Sequence, residues 1–260
     1  MTDEATTPIV RGADAAVAAT ERVIDGRPSA EVAPPAGTVP APVVVRRGRT
    51  ASAIALLCLA GFAVVLVLVR AGRSQAIDVA LTLRLQSRDH PSIERLMTAA
   101  SWPGFPPQSR LIPPTIMLGL WAARLRLEAM ALLAGWGSAL LSTVIKAVMR
   151  RPRPLADERL RVVVAPLGGS SFPSGHVLTY VGLYGTLAYL AGTLIRPARW
   201  RGLVVGALLG LLAAVGPSRI HQGHHWPTDV SASYLLGTAY VAGVTSLYRR
   251  IKARRAGVRP

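Results

Sequence analysis

The segment SRIHQGHHWPTD, residues 218–229, is a polar stretch between two apolar runs. The run before it covers Leu203 to Val215, and the run after it covers Val230 to Tyr248. Runs of this composition are typical of helices that cross a membrane, where apolar side chains must face hydrocarbon. Imidazole, guanidinium and carboxylate groups between two such helices predict a polar site at one face of the membrane.

Four more apolar runs bring the predicted number of membrane spans to six. They cover Ala51 to Val69, Leu111 to Ala123, Ala129 to Ile145, and Val177 to Ile195. The second and fifth of the six runs are short for a hydrocarbon core of about 30 Å. Residues 74–109 contain only short amphipathic patches among charged residues, which predicts interfacial helices. We therefore predict an all-α, polytopic helical membrane domain over residues 46–255.

The charge balance favours an anionic substrate and contact with membrane lipids. The chain has 30 Lys and Arg residues against 13 Asp and Glu, a formal net charge of +17. The basic residues gather at the ends of apolar runs instead of forming an aromatic-interleaved basic domain, which argues against nucleic acid as a partner. The single cysteine, Cys58, excludes an intrachain disulfide and a cysteine metal cluster. The oligomeric state is not predicted.

The two ends of the chain predict its orientation. Residues 1–45 are rich in Ala, Pro, Thr and Val and keep no helical or strand period, which predicts a disordered tail. The basic run after Tyr248, with residues 256–260 as its end, favours a cytoplasmic C-terminus. Six spans then place both termini in the cytoplasm. In the plasma (inner) membrane, the polar clusters would lie on the extracytoplasmic face.

Two further polar clusters occupy the corresponding ends of other spans. Lys146 follows the third apolar run and is separated by six residues from Arg153-Pro154. The sequence PSGH, residues 173–176, directly precedes the fourth run. With alternating spans, both clusters fall on the same side of the membrane as residues 218–229. The topology therefore predicts that the three clusters, within residues 146–229, form one site.

The residue types in these clusters suit the binding of phosphate. Ser174 and Gly175 lead into a predicted helix, whose first N–H groups are unpaired and can hold an anion. Lys146, Arg153 and Arg219 add fixed positive charge, which stabilises the oxygens of a phosphoryl group during transfer. Each cluster alone has an ordinary explanation, such as a helix cap or a basic membrane anchor. Only their combination predicts a metal-free phosphoryl-transfer site.

The histidines supply the reactive groups of the predicted site. Asp229 lies four residues after His225, in the predicted first turn of a helix, and is expected to hydrogen-bond one nitrogen of this imidazole. The other nitrogen would then be free to attack phosphorus. His221 and His224 lack the spacing of a known metal site and are expected to face solvent or headgroups. The same is expected of the arginines at 150 and 151.

The order, type and spacing of the clusters resemble the phosphatidic-acid phosphatase type 2 superfamily, which includes soluble vanadium haloperoxidases. The resemblance is strong over residues 140–235 and looser over residues 50–250. It implies the phosphatase/haloperoxidase-type helical core, with His225 as the nucleophile that forms a phosphohistidine. It also implies that Asp229 orients this nucleophile and that His176 is the general acid. The implied phosphate-binding residues are Lys146, Arg153, Ser174, Gly175 and Arg219.

The resemblance implies an integral membrane phosphatase that hydrolyses a lipid phosphate or diphosphate and needs no metal or organic cofactor. Phosphatidic acid, phosphatidylglycerol phosphate and a polyprenyl diphosphate are the expected substrates. A lipid phosphotransferase with the same site is one alternative. A lipid-phosphate binding or transport protein without chemistry is another, although it leaves the paired histidines unexplained. A haloperoxidase is disfavoured because those relatives are soluble.

Overall fold

The computed structural model describes residues 41–88, 90–154, 159–162 and 168–257. Side chains of residues 41–48 are not included in this description. The first helix begins at Ala41, inside the predicted tail of residues 1–45; the rest of that tail and residues 258–260 lie outside the described residues. All regular structure in the described ranges is helical, which confirms the predicted all-α class.

Ten α-helices, one 3-10 turn and one π-helical turn make up the described fold. The helices before the first gap are α1 (Ala41–Arg70), α2 (Gln75–Gln86), α3 (Pro91–Ser101), α4 (Gln108–Ala122), α5 (Arg126–Trp136) and α6 (Ser138–Met149), with the 3-10 turn Trp102–Gly104 between α3 and α4. The remaining helices are α7 (Gly175–Tyr180), α8 (Thr186–Leu194), α9 (Ala198–His221) and α10 (Pro227–Arg255), and the π-helical turn Val181–Gly185 joins α7 to α8.

Five helical segments in the described residues are long and apolar enough to cross a membrane. They are Arg49–Arg70, Arg126–Met149, Gly175–Leu194, Ala198–His221 and Pro227–Arg255. The predicted second span corresponds to α4, which has 15 residues and contains Pro113 and Pro114. A helix of that length covers only about 22 Å, so the predicted count of six spans is approximate. The chain is an integral membrane protein.

The segment from α7 to α8 is the centre of the helix bundle. Val177, Leu178 and Leu183 on this segment are almost completely buried. Small residues allow its neighbours to approach closely, because a Cβ added to Gly182 would lie 2.1 Å from the Ser138 hydroxyl oxygen. This tight packing places the start of α7, which carries the PSGH cluster of residues 173–176, against α6 and α10.

Helix α2 turns a polar face toward the protein. Asp78, Thr82 and Gln86 recur every four residues and are buried, whereas Ile77 and Leu81 are exposed. With 12 residues, α2 is too short to cross a membrane, as the sequence predicted. Its buried polar residues bond to partners on the segments that carry the Lys146–Arg153 cluster and the cluster of residues 218–229.

Candidate active site

The helix ends bring the three clusters together. Lys146 lies in the last turn of α6, and its ammonium nitrogen is 3.6 Å from the Cβ position of Gly175 at the start of α7. The Arg153 guanidinium donates to the carbonyl oxygen of His224 at 2.7 Å. The backbone N–H of Ser174 donates to the carbonyl oxygen of Asp229 at 3.4 Å. The predicted convergence of residues 146–229 at one end of the bundle is thus present in the structure.

The imidazole of His225 is held by a backbone carbonyl. Its Nδ1 lies 2.8 Å from the carbonyl oxygen of Ser171, and the side chain is 2% exposed. Because a carbonyl oxygen can only accept a hydrogen bond, Nδ1 carries the proton and Nε2 keeps its lone pair. The Asp229 carboxylate oxygen is 3.7 Å from Nδ1, too far for a hydrogen bond. The prediction of a hydrogen bond between His225 and Asp229 is therefore wrong.

Asp229 instead organises the first turn of α10. One carboxylate oxygen accepts the backbone N–H of Trp226 at 2.8 Å and closes a capping box. The other oxygen accepts from the guanidinium of Arg151 at 2.6 Å. An acid in the first helical turn is well placed for this, because the free N–H groups there attract negative charge. Both oxygens are thus occupied by groups other than the neighbouring imidazole.

The surroundings of His225 keep its imidazole neutral. Burial lowers the pKa of this histidine well below the usual value, and the positive charges of Arg219, Lys146 and Arg153 lower it further. The hydrogen bond to the Ser171 carbonyl opposes this change, but the lowering effects are larger. A neutral imidazole has a lone pair available, which a nucleophile requires.

Several buried polar atoms around the clusters have no hydrogen-bond partner among the described residues. They are the Ser174 hydroxyl oxygen, His176 Nε2, Arg153 Nε, Arg219 Nε, His221 Nδ1 and Gln222 Nε2. The Ser174 side chain makes no capping bond to α7. Buried polar groups are normally paired, so such a set indicates a ligand with several acceptor oxygens. A phosphoryl group has this character.

His176 borders a pocket of about 340 Å³. The pocket is lined by Lys146, Gly175 and His176 together with apolar or aromatic residues that include Trp136 and Leu183. A pocket with both cationic and apolar lining residues suits an amphiphile with a phosphorylated headgroup.

The 3-10 turn before α4 fixes the ring of His176. A Cβ on Gly104 would lie only 2.3 Å from Cδ2 of this imidazole, so the backbone of the turn is in close contact with the ring. Phe105 meets the same ring edge-on at 4.8 Å between centroids. The guanidinium of Arg219 lies over the Phe105 ring, 5.1 Å from its centroid. Phe105 thus packs against both His176 and Arg219.

Arg219 and His224 belong to one buried polar group. The guanidinium of Arg219 donates to Gln222 at 2.6 Å and to Ser101 at 3.2 Å, and it also contacts Nδ1 of His224. His224 is 0% exposed and His221 is 5% exposed. The expectation that these two histidines face solvent or headgroups is wrong, because the linker between α9 and α10 folds into the protein.

Arg151 also departs from its predicted surface position. Its guanidinium lies between the carboxylates of Asp78 and Asp229, at 2.6 Å from each. Arg150, by contrast, is exposed as expected. The contribution of Asp78 was not predicted. The available signal was the recurrence of polar residues every four positions along α2.

Within the described residues, no group of three or more His, Cys, Asp or Glu side chains could hold a metal ion. The charged and titratable side chains of the site are imidazoles, guanidinium groups, an ammonium group and a carboxylate.

Residues 127–253 match the model of the PAP2 superfamily, and this range contains all three clusters. Phosphatidylglycerophosphatase B of Escherichia coli (strain K12) is 39% identical over 83 residues, which are 32% of this chain and 31% of that protein. The chain thus spans about a third of the length of this relative. Phosphatidylglycerophosphatase B of Bacillus subtilis (strain 168) is 27% identical over 188 residues, 70% of this chain and 88% of that protein.

Two solved structures share the fold. A transmembrane PAP2 type phosphatidylglycerolphosphate phosphatase from Bacillus subtilis superposes with a TM-score of 0.67 at 23% identity, over 76% of this chain and 96% of that one. LpxE of Aquifex aeolicus superposes with a TM-score of 0.51 at 23% identity, over 65% and 93%. The family match includes every predicted site residue, and the same helical fold recurs in these structures. We conclude that residues 127–253 form a domain of the PAP2 superfamily.

Proposed function

We propose that this protein is a membrane phosphatase that hydrolyses a lipid phosphate or diphosphate through a phosphohistidine. The observation that carries the proposal is the environment of His225. Its neutral imidazole donates from Nδ1 to Ser171, which leaves Nε2 as the nucleophilic nitrogen. The positive charges of three residues that can bind the phosphoryl oxygens, Lys146, Arg153 and Arg219, act on this ring.

In the first step, Nε2 of His225 attacks phosphorus and the bond from phosphorus to the leaving oxygen breaks. His176 donates a proton to that oxygen, so the lipid leaves as an alcohol or, from a diphosphate, as a monophosphate. The lysine and the two arginines neutralise the charge on the remaining phosphoryl oxygens. The start of the segment Gly175–Leu194 adds backbone N–H groups to the same task.

In the second step, water attacks the phosphohistidine and the bond between phosphorus and nitrogen breaks. The water proton passes to His176, which regains the proton it gave to the leaving group. His225 returns to its neutral form and inorganic phosphate is released. The protein's own groups supply every proton and charge in this scheme, so it requires no metal or organic cofactor.

The lipid nature of the substrate follows from the position of the pocket. The pocket joins the charged part beside His176 to an apolar wall on helices that are long enough to cross a membrane. The headgroup would enter this polar part while the acyl or prenyl chain stays in the bilayer. Because two relatives are named phosphatidylglycerophosphatase B, phosphatidylglycerol phosphate is the first substrate to test. The positive-inside pattern supports a site on the extracytoplasmic face of the plasma membrane with cytoplasmic termini.

The test is release of inorganic phosphate by the purified full chain in detergent with EDTA present. Phosphatidylglycerol phosphate, phosphatidic acid and a polyprenyl diphosphate are compared as substrates. We expect release from at least one lipid and its loss, by about a thousandfold or more, in His225→Ala. The matched control is His90→Ala, because His90 is exposed and caps α3. Full activity in the His225 variant would refute the proposed nucleophile.

A further inference from the structure

A buried ion cluster connects α2 to the start of α10. The Arg151 guanidinium donates to Asp78 and to Asp229, each at 2.6 Å, and the exposed fractions of these side chains are 8%, 0% and 0%. A guanidinium is a planar fork with five N–H donors, so it can bridge two carboxylates at once. Asp78 lies outside residues 127–253, which match the family model, and outside all three motif clusters.

Asp78 also binds the first turn of α10 directly. One of its oxygens accepts the backbone N–H of Thr228 at 2.9 Å, and the other accepts the Thr228 hydroxyl at 2.8 Å. Asp229 accepts the N–H of Trp226 in the same turn. Two acids, one from α2 and one from α10 itself, therefore satisfy free N–H groups at one helix start.

Arg151 is connected to His225 by two chains of hydrogen bonds, one from its side chain and one from its backbone. Through its side chain it fixes Asp229, which holds the backbone N–H of the residue after His225. Through its backbone it fixes Ser171, because the Arg151 carbonyl accepts the Ser171 N–H at 2.9 Å. The Ser171 carbonyl in turn accepts the proton on Nδ1 of His225. Both supports of the imidazole thus depend on Arg151.

The ion pairs with Asp78 and Asp229 also distinguish Arg151 from Arg153 and Arg219. Arg151 is bound by two acids and donates its terminal N–H groups to protein oxygens. Arg153 and Arg219, in contrast, each keep a buried Nε without a partner among the described residues. The acids of the cluster therefore direct one arginine toward the helix start and leave the others for the phosphoryl group.

We propose that Asp78 and Arg151 are positioning residues that set the orientation of His225 through Asp229 and Ser171. This inference rests on the proposed function, since it concerns the nucleophile of that reaction. Neither residue touches the phosphoryl group. Misplacement of a reacting atom by about 1 Å can cost on the order of a hundredfold in rate, so such residues strongly influence turnover.

The first test is Asp78→Asn, which keeps the size of the side chain and removes its charge. We expect kcat to fall about tenfold with KM nearly unchanged, because the nucleophile is misplaced while the phosphate-binding cations remain. The profile of kcat/KM against pH is expected to move to lower pH by about half a unit, because loss of a nearby negative charge lowers the pKa of neighbouring groups. The group concerned is His225, and the charged groups that act on it are Arg219, Lys146, Arg153 and Asp229.

For Arg151→Gln we expect the pH profile of kcat/KM to move in the opposite direction. Loss of a positive charge moves the pH profile to higher pH, while kcat falls further than in Asp78→Asn because both acids lose their partner. Arg151→Lys is expected to rescue little activity, because an ammonium group lacks the fork that bridges two carboxylates. In the double variant, the loss should be smaller than the product of the two single losses, since the residues act as one unit.

The matched control is Glu128→Gln, since Glu128 is another buried acid in an ion pair, with Lys252 at 2.8 Å. We expect its pH profile to stay in place. An unchanged pH profile of kcat/KM in Asp78→Asn would overturn the positioning role, and so would an unchanged kcat. Either result would do so even if phosphate release still depends on His225. A purely structural role would lower the active fraction without moving the profile. If the wild-type protein releases no phosphate from any lipid, the inference falls together with the proposed function.

Discussion

Helix α10 carries an ion cluster at each end, and the two clusters differ in burial and in the number of partners. At the start, Arg151 lies between Asp78 and Asp229, and all three side chains are at most 8% exposed. At the far end, Lys252 pairs with Glu128 at 2.8 Å, but the lysine side chain is 52% exposed. The hydroxyl of Tyr248 completes this second group.

The difference shows what each cluster contributes. In the second cluster Glu128 is buried but about half of the Lys252 side chain is exposed, so water solvates the ammonium group in both states and the pair contributes little to stability. A buried ion cluster adds little stability compared with apolar residues of similar volume. Removal of one of its members, however, leaves buried charges without partners and strongly destabilises the fold. The cluster at the start of α10 is therefore suited to hold one arrangement of residues 225–229, whereas the other cluster mainly joins α5 to α10.

The largest effect is expected when the buried cluster is broken. Arg151→Gln leaves two buried carboxylates unpaired and should lower the free energy of unfolding by about 3–5 kcal/mol. Lys252→Gln, the matched control at the other end, should lower it by about 1 kcal/mol or less. Thermal unfolding of both variants in the same detergent measures the difference. Equal losses would show that burial does not separate the two clusters.

A smaller effect is expected when the contact that fixes the second histidine is changed. In Gly104→Ala the new Cβ would meet the His176 ring at 2.3 Å, so the ring must move. We expect kcat to fall about tenfold or more, because the proposed general acid loses its position. Gly119→Ala is the control, since a Cβ there meets nothing within 4 Å. Steady-state kinetics in which both variants match the wild type would contradict the assigned contact.

The smallest effect concerns pH. Because the pKa of His225 lies well below 6.5, the neutral nucleophile persists as the pH falls through the range where an ordinary histidine becomes charged. Activity limited by this residue is therefore lost only at more acidic pH, as the pH falls through the lowered pKa. The profile of kcat/KM against pH measures this limit, and Lys252→Gln should leave it unchanged. An acid limit at or above 6.5 would contradict the neutral environment.

Much of the fold follows from local pattern. The apolar runs predicted the long helices, and the three clusters converge as the alternation of spans required. The prediction for Leu111 to Ala123 was less accurate, because the corresponding helix α4 has 15 residues and a membrane crossing needs about 20. The roles of the site residues remain predictions that the proposed experiments test.

The residues missed by the sequence have a common property, which is a partner far away along the chain. Asp78 lies in a short amphipathic segment, where an acid normally indicates the solvent-exposed face. Its partner, Arg151, is 73 positions away and stands beside another arginine that is exposed. Spacing within a segment cannot indicate such a pair, so Arg151 was predicted to face solvent or headgroups and Asp78 was not predicted to take part in the site.

The sequence by itself determined the membrane helices and the chemical types of the site, because hydropathy and motif spacing are local properties. Only the tertiary structure decided which group holds His225. Every residue has a backbone carbonyl, so no residue type could indicate that Ser171 would accept the proton of Nδ1. The tertiary structure also decided which charges are buried together, because the cost of an unpaired buried charge depends on the packing of α2, residues 151–153 and α10 around it.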